Sequence, residues 1–349
     1  MDRQKMMAMA ERVYRDVAGA MATGLGHLGV ESGLFAAMNG RGPMTLAEVV
    51  AASGLVPRYV EEWLHGMVAA GYLDYDADAQ TYALPEEHAF LLSSAGTDHY
   101  MGGMFGMPPP LLAQAPRLLQ AMREGGGVPF GDFGPACRHA LDVLNRGNYA
   151  ARLVDYWLAQ LPDTAARLKA GGRVLDVGCG HGHAAIALAK GYPASRIVGV
   201  DPDAASIAEA RAAAVAAGVK VEFVQATLDA LPPSAPFDLV TICDSLHDLP
   251  DPIAVLGQVR ARLAEDGALF VIELKVADGL EDNRHPIAAM FYGFSMFHCL
   301  TQSLAHGGAG LGACLGPART LALFEGAGYS RAELLPIRSP TNLFYVARR

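Results

Sequence analysis

The stretch VLDVGCGHGHAAIALAK, residues 174–190, carries the strongest chemical signal in the chain. A β-branched run delivers Asp176 into a turn containing Gly178, Cys179, Gly180 and Gly182, and an alanine-rich helix follows at once. Glycines in such a turn let bare backbone approach a ligand that a Cβ would exclude, which is how nucleotide-like molecules are held. A second carboxylate, Asp201, ends the next β-branched run in IVGVDPD and is followed by Pro202; placed there it can accept both hydroxyls of a ribose. A dinucleotide fingerprint wants glycine where His183 stands, so the NAD pattern fails at its third glycine.

A later segment, FDLVTICDSLHDLPDP, brings Cys243, Asp244, His247 and Asp248 to the C-terminal end of a strand, the edge where open α/β sheets bind their ligands. An imidazole beside carboxylates can take a proton from a nucleophile, or it can simply hydrogen-bond a cofactor or loop. A distant histidine, His298, lies in the aromatic segment MFYGFSMFHC, whose Phe291 and Phe294 are candidates to line an apolar pocket. If His247, Asp248 and His298 converge, they form the two-histidine, one-carboxylate set that holds a metal ion with open positions for substrate.

These groups need a scaffold. After residue 171, short β-branched runs alternate with alanine-rich helices, and strands are expected at 173–178, 196–201, 220–226, 237–243, 267–274, 331–337 and 342–347. That order implies a Rossmann-like, mainly parallel seven-stranded α/β sheet with an antiparallel hairpin at its edge. The first half reads differently. Thr45 and Glu48 have capping-box spacing, a second helix presents Val60, Leu64, Met67 and Val68, and the break between Tyr75 and Tyr82 reads as a small wing. The expected division is a helical, winged-helix-like domain over 1–95, a helical linker and active-site cover over 96–165, and the α/β domain over 166–349. Within the cover, residues 100–133 are rich in Gly, Met and Pro, which suits a mobile segment.

Composition narrows the partners. With 36 acidic against 27 basic side chains, a net charge of −9 gives no attraction to nucleic acid. The second helix sets Arg58 against Glu61 and Glu62, and the wing carries Asp74, Asp76 and Asp78, so the winged-helix outline is expected to serve packing and dimerisation. Apolar helices over 6–34 suit burial in a homodimer. No apolar run is long enough for a membrane span, the N-terminus shows no apolar signal core, and five scattered cysteines without a C-x-x-C pair suit reduced thiols; a cytoplasmic protein with a small-molecule substrate is expected.

The sequence D-x-G-x-G-x-G from Asp176 to Gly182, with Asp201 ending the next strand, resembles motif I and its sequel in class I S-adenosylmethionine-dependent methyltransferases. That resemblance implies S-adenosylmethionine as cofactor. It leaves the adenine contact open, because Thr227 and Leu228 stand where the family usually has an acidic residue. The helical domain, the His247-Asp248 pair and His298-Cys299 together resemble metal-dependent 2-oxo acid C-methyltransferases, and also a wider group of bacterial methyltransferases of the same architecture. The closer resemblance implies a Zn or Fe ion on His247, Asp248 and His298 that chelates a 2-oxo acid and stabilises its enolate, with Asp244 or a metal-bound hydroxide taking the proton. Arg123 or Arg138 would then meet the substrate carboxylate, unless they are solvated surface residues. The alternatives are a metal-free O- or N-methyltransferase of a small natural product with His247 as general base, and a regulator that senses S-adenosylmethionine and binds DNA.

Overall fold

The computed structural model describes residues 1–349, which separate into two compact units: Met1–Pro110 with His139–Gly147, and Leu111–Arg138 with Asn148–Arg349. The segment expected to be a separate cover is thus shared between them.

In the first unit, α1 (Arg3–Glu31) is a single helix of 29 residues, followed by α2 (Leu34–Met38), β1 (Met44–Thr45), α3 (Leu46–Ser53), α4 (Pro57–Ala69), β2 (Asp74–Asp76), β3 (Thr81–Ala83) and α5 (Glu86–Leu92). The capping box forms as its sequence requires: Glu48 accepts from the Thr45 amide at 2.7 Å, and the Thr45 hydroxyl accepts from the Glu48 amide at 3.3 Å. The strands pair in the order β1-β3-β2, which makes the wing. Val49, Val60, Leu64 and Met67 are buried with Phe35 and Met38, whereas Val68 only flanks this core and Trp63 takes an inward place, donating its indole N–H to the Leu25 carbonyl at 2.8 Å. Along α1, Met6, Met9, Val13, Tyr14, Val17 and Met21 remain exposed.

Next along the chain come α6 (Pro108–Leu112), α7 (Ala115–Glu124), α8 (Gly134–Arg152), whose residues are divided between the two units, and α9 (Pro162–Ala170). The remaining elements are β4 (Arg173–Val177), α10 (His183–Gly191), β5 (Arg196–Asp201), α11 (Ala204–Ala216), β6 (Glu222–Gln225), β7 (Phe237–Cys243), α12 (Pro252–Arg262), β8 (Leu263–Leu274), α13 (Pro286–Phe294), α14 (Leu300–Ala305), α15 (Gly316–Gly326), β9 (Arg331–Leu334) and β10 (Asn342–Arg348). The sheet order is β6-β5-β4-β7-β8-β10-β9, parallel through β8 and antiparallel at β10 and β9. β9 stops before Pro336, which has no N–H for a ladder.

Both faces of this sheet are covered, so adjacent residues of its inner strands are apolar on both sides: Val174, Leu239 and Phe270 enter one core, while Leu175, Val240 and Leu269 enter the other. The chain runs outward from β4 through β5 to β6, then returns to pair β7 with β4. This reversal opens a crevice at the C-terminal strand ends, where ligands of doubly wound sheets bind. No helix is long and apolar enough to cross a membrane.

Candidate active site

Around that crevice the glycine loop is shaped by two different demands. Gly182 has φ +77°, and a Cβ there would lie 2.4 Å from the Phe223 ring, so its bareness serves internal packing. Gly180 has φ +49°, yet a Cβ there would meet no protein atom within 4 Å. Its bare face is turned to open space, the cradle a nucleotide-like ligand needs. The Gly180 amide donates to Asp201 Oδ2 at 3.0 Å and the Asp203 amide to Asp201 Oδ1 at 2.8 Å, which fixes the Asp201 carboxylate at the end of β5. Burial pushes its pKa up.

Asp176 is 1% exposed and takes a 2.6 Å hydrogen bond from the Thr241 hydroxyl of β7. Burial raises its pKa to about 7, against the lowering effect of that bond. Cys179 and Cys243 lie beside these carboxylates, and burial pushes both thiols far above their ordinary value. Pro202 and Thr227 are exposed; Leu228 is buried in the core, and its carbonyl accepts from Arg262 at 3.0 Å.

Asp244 follows β7 with φ +52°, a left-handed conformation rare outside glycine. It is held there by both oxygens: the Tyr149 hydroxyl donates to Oδ2 at 2.9 Å and the Asn342 amide to Oδ1 at 2.9 Å. Burial raises its pKa to about 6.

The turn over Leu246–Asp248 then places His247, 3% exposed, with Nδ1 2.6 Å from Oε2 of Glu273 on β8. The His247 backbone amide also donates to Glu273 Oε1, at 3.3 Å. Glu273 is itself 2% exposed. Burial disfavours the charged imidazole, but the Glu273 and Asp248 carboxylates prevail and hold its pKa well above the ordinary histidine value. With Nδ1 engaged, Nε2 faces Asp248 Oδ1 at 3.6 Å.

A π-helical turn, Ser295–Cys299, buries His298 and Cys299 together, although neighbours on a regular helix point about 100° apart. Cys299, rather than His298, joins His247 and Asp248 in a group whose potential ligand atoms all lie within 4.8 Å of one another. His298 stands alongside, with Nδ1 3.7 Å from Cys299 Sγ and Nε2 buried without a partner. Burial lowers the His298 pKa, and burial raises that of Cys299 to about 12.

Of the remaining candidates, Phe291 is buried and Phe294 half-buried on α13. The Arg138 guanidinium has a buried Nε with no partner. Sequence reasoning missed Glu273, Tyr149 and Asn342, and noted Cys299 only as the neighbour of His298. Glu273 left a signal, a carboxylate inside the apolar run LFVIEL; Tyr149 and Asn342 left none.

Known proteins resemble this chain in parts of its sequence and in its fold. Residues 174–267 match the methyltransferase domain family and residues 17–94 the Rv2258c-like winged HTH domain. Demethylmenaquinone methyltransferase of Thermus thermophilus is 37% identical over 134 residues, 38% of this chain and 60% of that protein. Ubiquinone biosynthesis O-methyltransferase of Pseudomonas fluorescens is 34% identical over 124 residues, 35% of this chain and 49% of that protein. The chain therefore spans three-fifths or less of these relatives. Over its whole length the fold is similar to that of mitomycin 7-O-methyltransferase MmcR, with a TM-score of 0.70, 18% identity and 100% of each chain covered. It is also similar to human N-acetylserotonin methyltransferase in complex with SAM, with a TM-score of 0.70 and 19% identity, covering 100% of this chain and 98% of that one. This chain thus joins a segment that matches the methyltransferase domain family, residues 174–267, to a preceding segment that matches a winged helix-turn-helix domain, residues 17–94.

Proposed function

We propose that the protein transfers the methyl group of S-adenosylmethionine to an oxygen or nitrogen of a small molecule, with His247 as general base and Glu273 as the group that orients it. The observation that carries this reading is the buried 2.6 Å contact between His247 Nδ1 and Glu273. A ring that donates from Nδ1 to a carboxylate presents Nε2 as the acceptor for a proton, and the imidazolium that forms stays beside its counter-charge. The acceptor's O–H or N–H bond breaks toward Nε2. Its freed electron pair forms a bond to the methyl carbon, and the C–S bond breaks with its electrons moving to sulfur, which leaves S-adenosylhomocysteine. Asp201 would take the ribose hydroxyls, and the bare face of Gly180 would lie against the cofactor.

A second reading, metal-dependent C3 methylation of a 2-oxo acid, is favoured by the convergence of His247, Asp248 and Cys299. The residues fit such an ion: imidazole, carboxylate and thiolate are ordinary ligands of Zn or Fe, and Glu273 on Nδ1 is the outer partner that metal-bound histidines usually have. The ion, when bound, would supply Lewis-acid activation of the carbonyl. A DNA-binding regulator finds less support, since the Arg58 guanidinium on the second helix is tied to Glu62 and Glu61. The exposed apolar side chains of α1 suit a homodimer partner.

The test is methyl transfer from labelled S-adenosylmethionine to separate panels of phenols, amines and 2-oxo acids, with metal content measured before and after a chelator. Transfer to phenols or amines that survives chelation and is lost in His247→Ala supports the first reading. About one Zn or Fe per chain, with 2-oxo acid methylation lost on its removal, overturns it in favour of the second.

A further inference from the structure

The imidazole of His298 is 4% exposed, and its Nε2 has no hydrogen-bond partner in the chain. A buried polar atom left alone costs roughly 1–3 kcal/mol, so its retention calls for a partner that the chain itself does not provide. The surroundings show what kind. Phe133 lies against the ring at a centroid distance of 4.8 Å and Phe130 at 5.8 Å, both on the segment that follows α7. That segment is seated on the histidine's own helix: the Val128 amide donates to the Thr301 hydroxyl at 2.8 Å, and a Cβ on Gly127 would lie 1.9 Å from the Thr301 carbonyl.

At both ends of the segment the backbone enters a region that essentially only glycine adopts, Gly125 at φ 84°, ψ −176° and Gly134 at φ 76°, ψ −179°. The stretch between them, bounded by a glycine at each end, carries both rings that lie against His298.

We propose that His298 is a specificity-determining residue for the acceptor: lifting of the segment over 125–134 admits a planar aromatic molecule, whose second polar group then hydrogen-bonds to His298 Nε2. The acceptor class is a planar ring with two oxygen or nitrogen substituents, one presented to His247 and the other to His298. The two histidines are near enough for this, because a ring nitrogen of His247 belongs to the group of atoms spaced within 4.8 Å that includes Cys299 Sγ, and His298 Nδ1 is 3.7 Å from that sulfur. Phe130 and Phe133 then contribute the apolar, edge-on contacts that aromatic rings prefer. The proposal rests on the methyl-transfer reading above and deepens it.

The test measures binding of phenol, catechol, resorcinol and hydroquinone by calorimetry to chelator-treated protein saturated with S-adenosylhomocysteine, with methyl transfer from S-adenosylmethionine to the same four followed separately. At least one diol is expected to bind about tenfold or more tightly than phenol. His298→Phe should remove that preference while phenol and S-adenosylhomocysteine bind within about twofold of wild type, and His298→Gln, which keeps a donor and an acceptor, should retain part of it. Equal affinities for all four, no binding of any diol, or a preference that survives in His298→Phe overturns the proposal. A diol preference without methyl transfer to any phenol would instead count against the methyl-transfer reading alone.

Discussion

The Nδ1 of His247 lies 2.6 Å from Oε2 of Glu273, and both side chains are almost wholly buried. A histidine so placed gains basicity from its carboxylate and keeps one tautomer and one ring orientation. His247→Ala should therefore lower methyl transfer by about 10²–10⁴-fold with little change in cofactor affinity. Glu273→Gln should show a smaller loss and a displaced pH profile. Because Glu273 and Asp248 hold the imidazole pKa up, wild-type activity should rise late, as the ring loses its proton. In Glu273→Gln that rise should move to lower pH, with a lower plateau. A profile that stays in place would remove His247 from the role of base.

The two inner glycines of the loop should fail in different ways. Gly182→Ala pushes a Cβ into the Phe223 ring and should lower thermal stability markedly. Gly180→Ala meets only open space within the protein, so its stability loss should be confined to about 1–2 kcal/mol for the left-handed backbone, while cofactor affinity falls by tenfold or more. Calorimetry with S-adenosylhomocysteine, beside melting curves, separates the two effects; equal affinity in Gly180→Ala would place the cofactor elsewhere.

Asp176 links site and stability through pH. Its folded pKa, raised to about 7, lies above the ordinary aspartate value, so the folded state holds a proton that the unfolded chain releases earlier. That contribution is complete below about pH 4 and is lost as pH rises through about 7. In the ligand-free protein Asp176→Asn should accordingly be near neutral at pH 4 and stabilising at pH 8, by an amount on the order of a few kcal/mol at most. Chemical denaturation at the two pH values measures the difference, and a variant equally stable or less stable at pH 8 contradicts it.

Val17 and Met21 are exposed on α1, and a charge on either should weaken a dimer that buries them. Light scattering is expected to give twice the chain mass for the wild type and the single mass for the double variant Val17→Glu, Met21→Glu. A wild type of single mass would leave the apolar stripe without a second copy.

Legibility in the sequence follows the range of the interactions. Asp176, Gly180 and Asp201 could be read because a strand end and the turn after it are local, and the mainly parallel sheet with its antiparallel edge follows from the alternation of strands and helices. Glu273 stood in plain view but read only as a charge interrupting an apolar run; its meaning depends on His247, 26 residues earlier and one strand away. His298 was expected beside His247 and Asp248 as part of a two-histidine, one-carboxylate set, and Cys299 was given no part of its own; the π turn that buries both side chains together has no local signal in the sequence. Val68 and Trp63 exchanged roles on α4 for a similar reason, since periodicity identifies a stripe but not which margin of it a neighbouring helix covers.

The two hydrogen bonds on Asp244 reach 95 residues back to Tyr149 and 98 residues forward to Asn342. Its left-handed backbone is therefore sustained by contacts of high sequence separation, the kind whose loop-closure cost is met late in folding. A chain that has not yet docked β10 lacks Asn342 at the polar end of β7, and it also lacks Phe344 and Tyr345, which belong to the two cores of the sheet. Competence for chemistry then coincides with completion of the sheet by β10.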